Sequence, residues 1–183
     1  MERPGIAVID NGGQLTHTIR DRLTKIGVYT ELFDPEKVDM EDLANARGVV
    51  LSGGPHSVYA EGSPRFAPRL DGDLADLDVP ILGICYGLQD VADHYGGAVP
   101  RESTDGAGEY GEAELEIEQR DVLFDRIDPD EITVWMSHGD FVTSLPDDWI
   151  VIGRTDDCGT AAVRHESADL YGVQFHPEAE HTR

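Results

Sequence analysis

Positive charge is scarce in this chain. Lys25 and Lys37 are the only lysines, and 14 basic residues stand against 37 acidic ones, a net charge of −23. With no basic patch to neutralise phosphates, free nucleic acid is set aside as a ligand class. Cysteine is equally scarce: Cys85 and Cys158 could form at most one disulfide, which rules out a disulfide scaffold and fits a reducing compartment. No apolar run approaches the roughly 20 residues that a membrane helix needs, and Met1-Glu2-Arg3-Pro4-Gly5 runs straight into a strand pattern. The expectation is a soluble, cytoplasmic protein with no membrane partner. Internal repeats and Gly/Ser- or Pro-rich linkers are also missing, so residues 1–183 are expected to form a single compact domain.

The acidic excess has its own consequence. Self-repulsion of this size opposes folding in dilute buffer, whereas a Debye length of roughly 3 Å at molar salt removes most of it. The carboxylates are spread along the whole chain, which favours general solvation at high salt over one acidic face for a basic partner.

What is present begins with alternating β and α patterns. Ile6 to Asp10 is an apolar strand, Asn11-Gly12-Gly13 turns it into a helix from about Thr16 to Ile26, and Gly27 closes that helix. The run Gly12-Gly13-Gln14-Leu15-Thr16 does not meet the Gly-x-Gly-x-x-Gly fingerprint of dinucleotide sites. Val28 to Phe33 reads as a second strand, Met40 to Ala46 as a short helix, and Gly48 to Leu51 as a third, buried strand. Such alternation argues for a parallel sheet with helices on both faces. After Gly96-Gly97 the texture changes. Ala113–Glu118, Ile132–Trp135, Ile150–Arg154, Thr160–Arg164 and Leu170–Phe175 read as short strands without a long helix between them. The fold class is therefore α/β: a central, mostly parallel sheet flanked by helices, with a β-rich, partly antiparallel C-terminal half.

Pro80-Ile81-Leu82-Gly83-Ile84-Cys85-Tyr86-Gly87-Leu88-Gln89 is the centre of the chain. A short apolar run opened by proline gives way to Leu88, Val91, Ala92 and Tyr95 at helical spacing, so Cys85 sits on a strand-to-helix turn. There the unpaired N–H groups and positive dipole end of the helix favour a thiolate. Flanking glycines permit a crowded turn of the nucleophile-elbow kind. A buried structural cysteine is the alternative. Cys158 has no motif around it and reads as packing.

Three other segments carry polar chemistry. Ser52-Gly53-Gly54-Pro55-His56-Ser57 follows the third strand; in an open parallel sheet it faces the same crevice as Cys85, and its N–H groups make a candidate oxyanion hole. Met136-Ser137-His138-Gly139-Asp140 reads as a polar turn after a strand. It is better suited to binding a polar substrate than to a serine triad, whose members do not lie side by side in sequence. In Gly172-Val173-Gln174-Phe175-His176-Pro177-Glu178, an extended backbone would put His176 and Glu178 on one face, where a carboxylate can fix an imidazole's tautomer. Glu180-His181 imitates an inverted zincin signature, but His-x-x-Glu-His would need Glu where Ala179 stands, so no metal site is assigned. A solvated loop histidine remains the alternative for His176.

Taken together, these motifs resemble the class I (triad) glutamine amidotransferases, whose fold is flavodoxin-like, and the match runs over nearly the whole chain. Gly83 to Gln89, Gly108-Glu109-Tyr110-Gly111, Trp135 to Asp140 and Gly172 to Glu178 look most like the GMP synthetase branch of that family. The resemblance implies Cys85 as nucleophile, His176 as acid and base, and Glu178 as its orienting carboxylate. It implies Gly54 and Tyr86 N–H groups as the oxyanion hole, and Gly53, Gln89, Ser137, His138, Gly139 and Asp140 around the ends of glutamine. It also implies a partner: an ATP-pyrophosphatase synthetase, as a separate chain or a further domain, that binds ATP and magnesium and aminates xanthosine monophosphate. No cofactor is assigned to these residues themselves. Family members continue past His-Pro-Glu into a packed helix, whereas this sequence stops at Arg183, so it is expected to be trimmed or part of a longer polypeptide. The glutaminase of another amidotransferase, a free-standing γ-glutamyl cysteine hydrolase and a non-catalytic regulatory subunit stay open as alternatives.

Overall fold

The computed structural model describes residues 5–100, 108–120, 122–128 and 130–182. The lead-in from Met1 to Pro4 and the terminal Arg183 lie outside them. The described elements are β1 (Ile6–Ile9), α1 (Thr16–Lys25), β2 (Thr30–Phe33), α2 (Met40–Asn45), β3 (Gly48–Leu51) and α3 (Phe66–Arg69). A 3-10 turn at Leu74–Asp76, β4 (Ile81–Ile84), α4 (Tyr86–His94), β5 (Glu109–Ile117), β6 (Glu131–His138), β7 (Trp149–Arg154), β8 (Ala162–His165) and β9 (Leu170–Val173) follow. The strands form one sheet in the order β2-β1-β3-β4-β9-β8-β7-β5-β6.

The sheet has two characters. β2, β1, β3, β4 and β9 pair in parallel, and β8, β7, β5 and β6 extend it antiparallel. Helices cover both faces. Leu43 of α2, Phe66 of α3 and Leu88 and Val91 of α4 join Ile9, Val49, Leu51 and Ile81 in one core. Ile19 of α1 joins Val8, Ile84, Leu115, Val134 and Val173 in the other. Strands buried on both sides explain why β1, β3 and β4 are near-continuous apolar runs.

Local chemistry accounts for the element ends. At the end of α1, Gly27 takes φ +79°, its N–H donates to Thr24 O (2.9 Å), and the Val28 N–H donates to Leu23 O (3.0 Å). This is a Schellman closure, and it consumes Val28, so β2 begins two residues later than the apolar pattern suggests. α2 opens on a reciprocal box in which Asp39 and Asp42 accept from each other's N–H.

Two further departures concern the C-terminal half. β6 does not stop at Trp135 but continues through His138, because β5 begins at Glu109 and offers a ladder in which Glu109, Tyr110 and Gly111 face His138, Ser137 and Met136. Cross-strand pairing overrides the turn-like composition of Met136 to Asp140, and only Gly139 and Asp140 lie beyond the strand. β9 in turn stops at Val173 rather than Phe175.

Residues 58–79, which carried no expectation, supply α3 and Arg65, which forms a part-buried ion pair with two carboxylates of α4. Arg65 Nε lies 2.6 Å from Asp90 Oδ1, and its Nη2 lies 2.6 Å from Asp93 Oδ2. Asp90 also accepts the Ala67 N–H at 2.8 Å. Burial raises the Asp90 carboxyl above its ordinary range despite these partners. The Arg65 cation also bears a burial penalty, but the two carboxylates more than offset it and its pKa is raised. The pair fastens α4, and hence the Cys85 turn, to the segment in front of it.

Candidate active site

Cys85 is the one non-glycine residue with positive φ among those described, at φ +50° and ψ −107°. Such a backbone is costly for a side-chain-bearing residue and persists only where its surroundings hold it. Here the Cys85 N–H donates to Val173 O at 2.8 Å and its carbonyl accepts the Gln89 N–H at 3.1 Å, tying the turn to β9 and to the start of α4. Close approach of helix and sheet completes it. A Cβ on Gly83 would lie 2.7 Å from the Leu88 nitrogen, and one on Gly87 would lie 2.4 Å from Leu51 O.

The loop after β3 packs against this turn. A Cβ on Gly53 would lie 3.0 Å from His176 Cε1 and 3.6 Å from Cys85 Cβ, so any side chain here would press on the His176 ring. The loop is fixed from behind by residues that the sequence reading did not single out. Asn11 donates its N–H to Ser52 Oγ (3.0 Å) and its Nδ2 to Ser52 O (2.8 Å). The Thr16 hydroxyl reaches Ser52 Oγ at 3.2 Å and Gly13 O at 3.0 Å. In sequence Asn11 and Thr16 look like ordinary turn and first-turn residues; only their place at the carboxyl end of β1 marks them.

His176 and Glu178 meet in a turn and not along an extended strand. The Ala179 N–H donates to His176 O at 3.2 Å, the fold-back brings His176 Nδ1 to 2.8 Å from Glu178 Oε1, and both residues are buried. Burial depresses the imidazole's proton affinity, but hydrogen bonds with Cys85 and Glu178 more than reverse this, and its pKa stands above the ordinary value. The second ring nitrogen is thus free for the sulfur. Cys85 Sγ also lies 4.0 Å from Ser137 O.

Two clefts open onto Cys85. The larger, of about 510 Å³, is lined by Gly13, Gly53, Gly54, Trp135, His176 and Glu178; the smaller, of about 340 Å³, by Gly54, Gln89, Ser137, His138, Gly139 and Asp140. Gln89 is buried, and its amide nitrogen donates to Asp140 O at 2.7 Å and to Gln174 Oε1 at 3.3 Å. It therefore shapes the turn at Gly139-Asp140 from within. The Asp140 carboxylate accepts from the hydroxyls of Ser57 and Tyr59. His138 tucks its ring beside Phe141, centroids 6.0 Å apart, with Nε2 3.6 Å from Glu109 Oε2. Burial pushes its pKa down to about 4, so it is neutral at pH 7. Tyr86 is buried with its hydroxyl donating to Pro64 O at 2.6 Å; its N–H is the first of α4. Cys158 is wholly buried and unbridged, and burial raises its pKa to about 11.

A thiol on a strained strand-to-helix turn, faced by an imidazole–carboxylate pair and a glycine loop at the carboxyl ends of adjacent strands, is the arrangement of α/β enzymes that attack a carbonyl carbon with sulfur. Comparison narrows the class. The family model of class-I glutamine amidotransferases matches residues 7–183. The GMP synthase [glutamine-hydrolyzing] of Exiguobacterium sibiricum is 42% identical over 184 residues, covering 100% of this chain and 34% of that protein. Its counterpart from Bacillus cereus is 42% identical over 179 residues, covering 97% and 33%. Among solved structures, a putative GMP synthase subunit from Thermoplasma acidophilum superposes with a TM-score of 0.84 at 32% identity, covering 100% of this chain and 88% of that one. A glutamine amidotransferase from Thermotoga maritima gives 0.73 at 22% identity, covering 98% and 78%, a likeness of fold. The chain belongs to the class-I glutamine amidotransferase family. It spans about a third of the length of the curated relatives it matches.

Proposed function

We propose that this chain is the glutaminase part of a GMP synthase. It hydrolyses glutamine to glutamate and ammonia and passes the ammonia to an ATP-dependent synthetase unit that converts xanthosine monophosphate to GMP. The observation that carries the reading is the buried His176–Glu178 pair at 2.8 Å set against a cysteine at φ +50°. The names of the relatives point to the same reaction.

The chemistry runs on the residues at hand. The Cys85 thiolate attacks the side-chain amide carbon of glutamine, and the oxyanion is received by the N–H groups of Gly54 and Tyr86. Each such donor contributes about 3 kcal/mol to the transition state. His176, protonated and steadied by Glu178, gives its proton to the departing nitrogen; the C–N bond breaks, ammonia leaves and a γ-glutamyl thioester remains. His176 then takes a proton from water, whose oxygen attacks the thioester carbon, and glutamate departs as the thiolate returns. His176 lines the larger cleft, so that cleft receives ammonia. The smaller cleft takes the α-ammonium and α-carboxylate ends of glutamine, with Asp140 and the turn braced by Gln89 as their seat.

ATP and magnesium belong to the synthetase unit in this reading, whether it is a second chain or a further domain. Residues 1–183 act as one unit in the cytoplasm, in a salt-rich interior that suits a net charge of −23. The test is glutamine-dependent ammonia release with and without a synthetase unit, together with covalent labelling of Cys85 by a diazo-ketone analogue of glutamine. Activity should vanish in Cys85→Ala and His176→Ala. Turnover of γ-glutamyl peptides in preference to glutamine, with no response to the synthetase, would replace this reading with a free-standing hydrolase.

A further inference from the structure

His176 is held by more than its carboxylate. Its N–H donates to Trp135 O at 2.9 Å. In a regular antiparallel rung the Trp135 N–H would return to His176 O; instead the Thr182 hydroxyl is inserted between them. Thr182 Oγ1 accepts the Trp135 N–H at 3.1 Å and donates to His176 O at 2.6 Å. One hydroxyl thus serves as donor and acceptor at once and ties the histidine's carbonyl to β6, whose Trp135 carbonyl already holds the histidine's N–H directly.

The same strand faces the nucleophile, since Ser137 O lies 4.0 Å from Cys85 Sγ. β6 therefore acts as a ruler between sulfur and imidazole, and Thr182 fixes the imidazole end of it. The segment that brings Thr182 there is itself braced: the His181 ring packs on Trp135 with centroids 4.8 Å apart, and its Nδ1 lies 3.7 Å from Glu112 Oε1. On the far side of the turn, Arg22 Nε donates to Glu178 O at 3.2 Å.

We infer that Thr182 is a positioning residue for His176, setting the distance between the imidazole and Cys85 through its bridging hydroxyl. The inference rests on the amidotransferase reading for its catalytic consequence but not for its geometry. Thr182→Val keeps the branched shape, removes the hydroxyl, leaves the Trp135 N–H without its partner and leaves the His176 carbonyl with the Ala179 N–H alone; Thr182→Ser keeps the bridge.

The experiment measures two things on the full chain, the second with its synthetase unit present: the pH profile of Cys85 alkylation by iodoacetamide, and kcat and KM for glutamine. In Thr182→Val, alkylation at pH 6 should fall about tenfold, because a displaced imidazole no longer assists the sulfur. kcat should fall by about tenfold or more with KM within about twofold, as expected for an ångström-scale misplacement of a reacting group. Thr182→Ser should restore both. If Thr182→Val does not yield folded protein, Thr182→Ala carries the same expectations. Hydroxyl-free variants with wild-type alkylation and kcat, or losses that serine fails to restore, overturn the inference. A wild-type chain inert toward glutamine, yet showing the Thr182-dependent alkylation loss, would sink the amidase reading and leave the clamp standing.

Discussion

Replacing Gly87 by alanine sets two opposite effects against each other, and the structure decides between them. Alanine in a helix is favoured over glycine by about 1 kcal/mol, so propensity alone predicts a more stable protein. The new Cβ, however, would sit 2.4 Å from the carbonyl oxygen of Leu51, where ordinary contact begins at 3.4 Å. The obstacle is backbone in the middle of the sheet, so α4 and β3 must part by about an ångström, which places the cost at the upper end of overpacking, about 3 kcal/mol. The net expectation is a loss of about 2 kcal/mol, read as a urea midpoint lowered by about 1 M for a slope near 2 kcal/mol/M. Leu51 leads directly into Ser52-Gly53-Gly54, so the same displacement separates Cys85 from its facing loop, and glutamine turnover should drop by about a hundredfold. Gly159→Ala, where a Cβ meets nothing within 4 Å, is the control and should change neither quantity. A Gly87→Ala protein as stable and as active as the parent would refute the claim that helix–sheet contact at this point sets the site.

Three further outcomes are expected. Because burial lowers the His138 pKa from 6.5 to about 4, the unfolded chain binds more protons between those values. Stability from this residue is complete above pH 6.5 and is lost as pH falls toward 4, by about 3 kcal/mol at most. Glu109, whose pKa burial raises, acts in the opposite sense; denaturation of His138→Gln across this window should show a flatter acid limb than the parent. Removing the guanidinium in Arg65→Ala leaves the buried Asp90 without its cation and should cost about 3 kcal/mol in chemical unfolding. Unfolding midpoints should rise with potassium chloride into the molar range, and a flat response would remove the link between the −23 charge and a saline interior.

Much of this molecule could be read before folding it. The parallel half was legible because strands buried on both faces are written as apolar runs, and the Cys85 turn because proline, a short run and a helical period meet there. Less legible was whatever depended on a distant partner. β6 gained Met136, Ser137 and His138 as ladder residues only because β5 lies opposite. The His176–Glu178 contact was expected from alternation along a strand and is instead made by a turn, so the pairing was anticipated on a geometry the backbone does not adopt. Asn11 and Thr16 behind Ser52, and Arg65 beneath α4, left no mark, since a hydrogen bond across 25 or more residues has no periodicity to betray it. Gln89 was expected beside substrate; it lines the smaller cleft at Cys85, and its bond to Asp140 O is a contact that the sequence did not announce.

Of the strands described, β9 comes latest in the chain, yet it lies between β4 and β8. Until it slots in, the first half of the protein presents a raw, unpaired margin along β4, and the Cys85 N–H has no carbonyl to hold its turn. The thiol and the imidazole come within reach of each other only once that gap is filled. Such late insertion also makes the open margin the place where two incomplete copies would stick together.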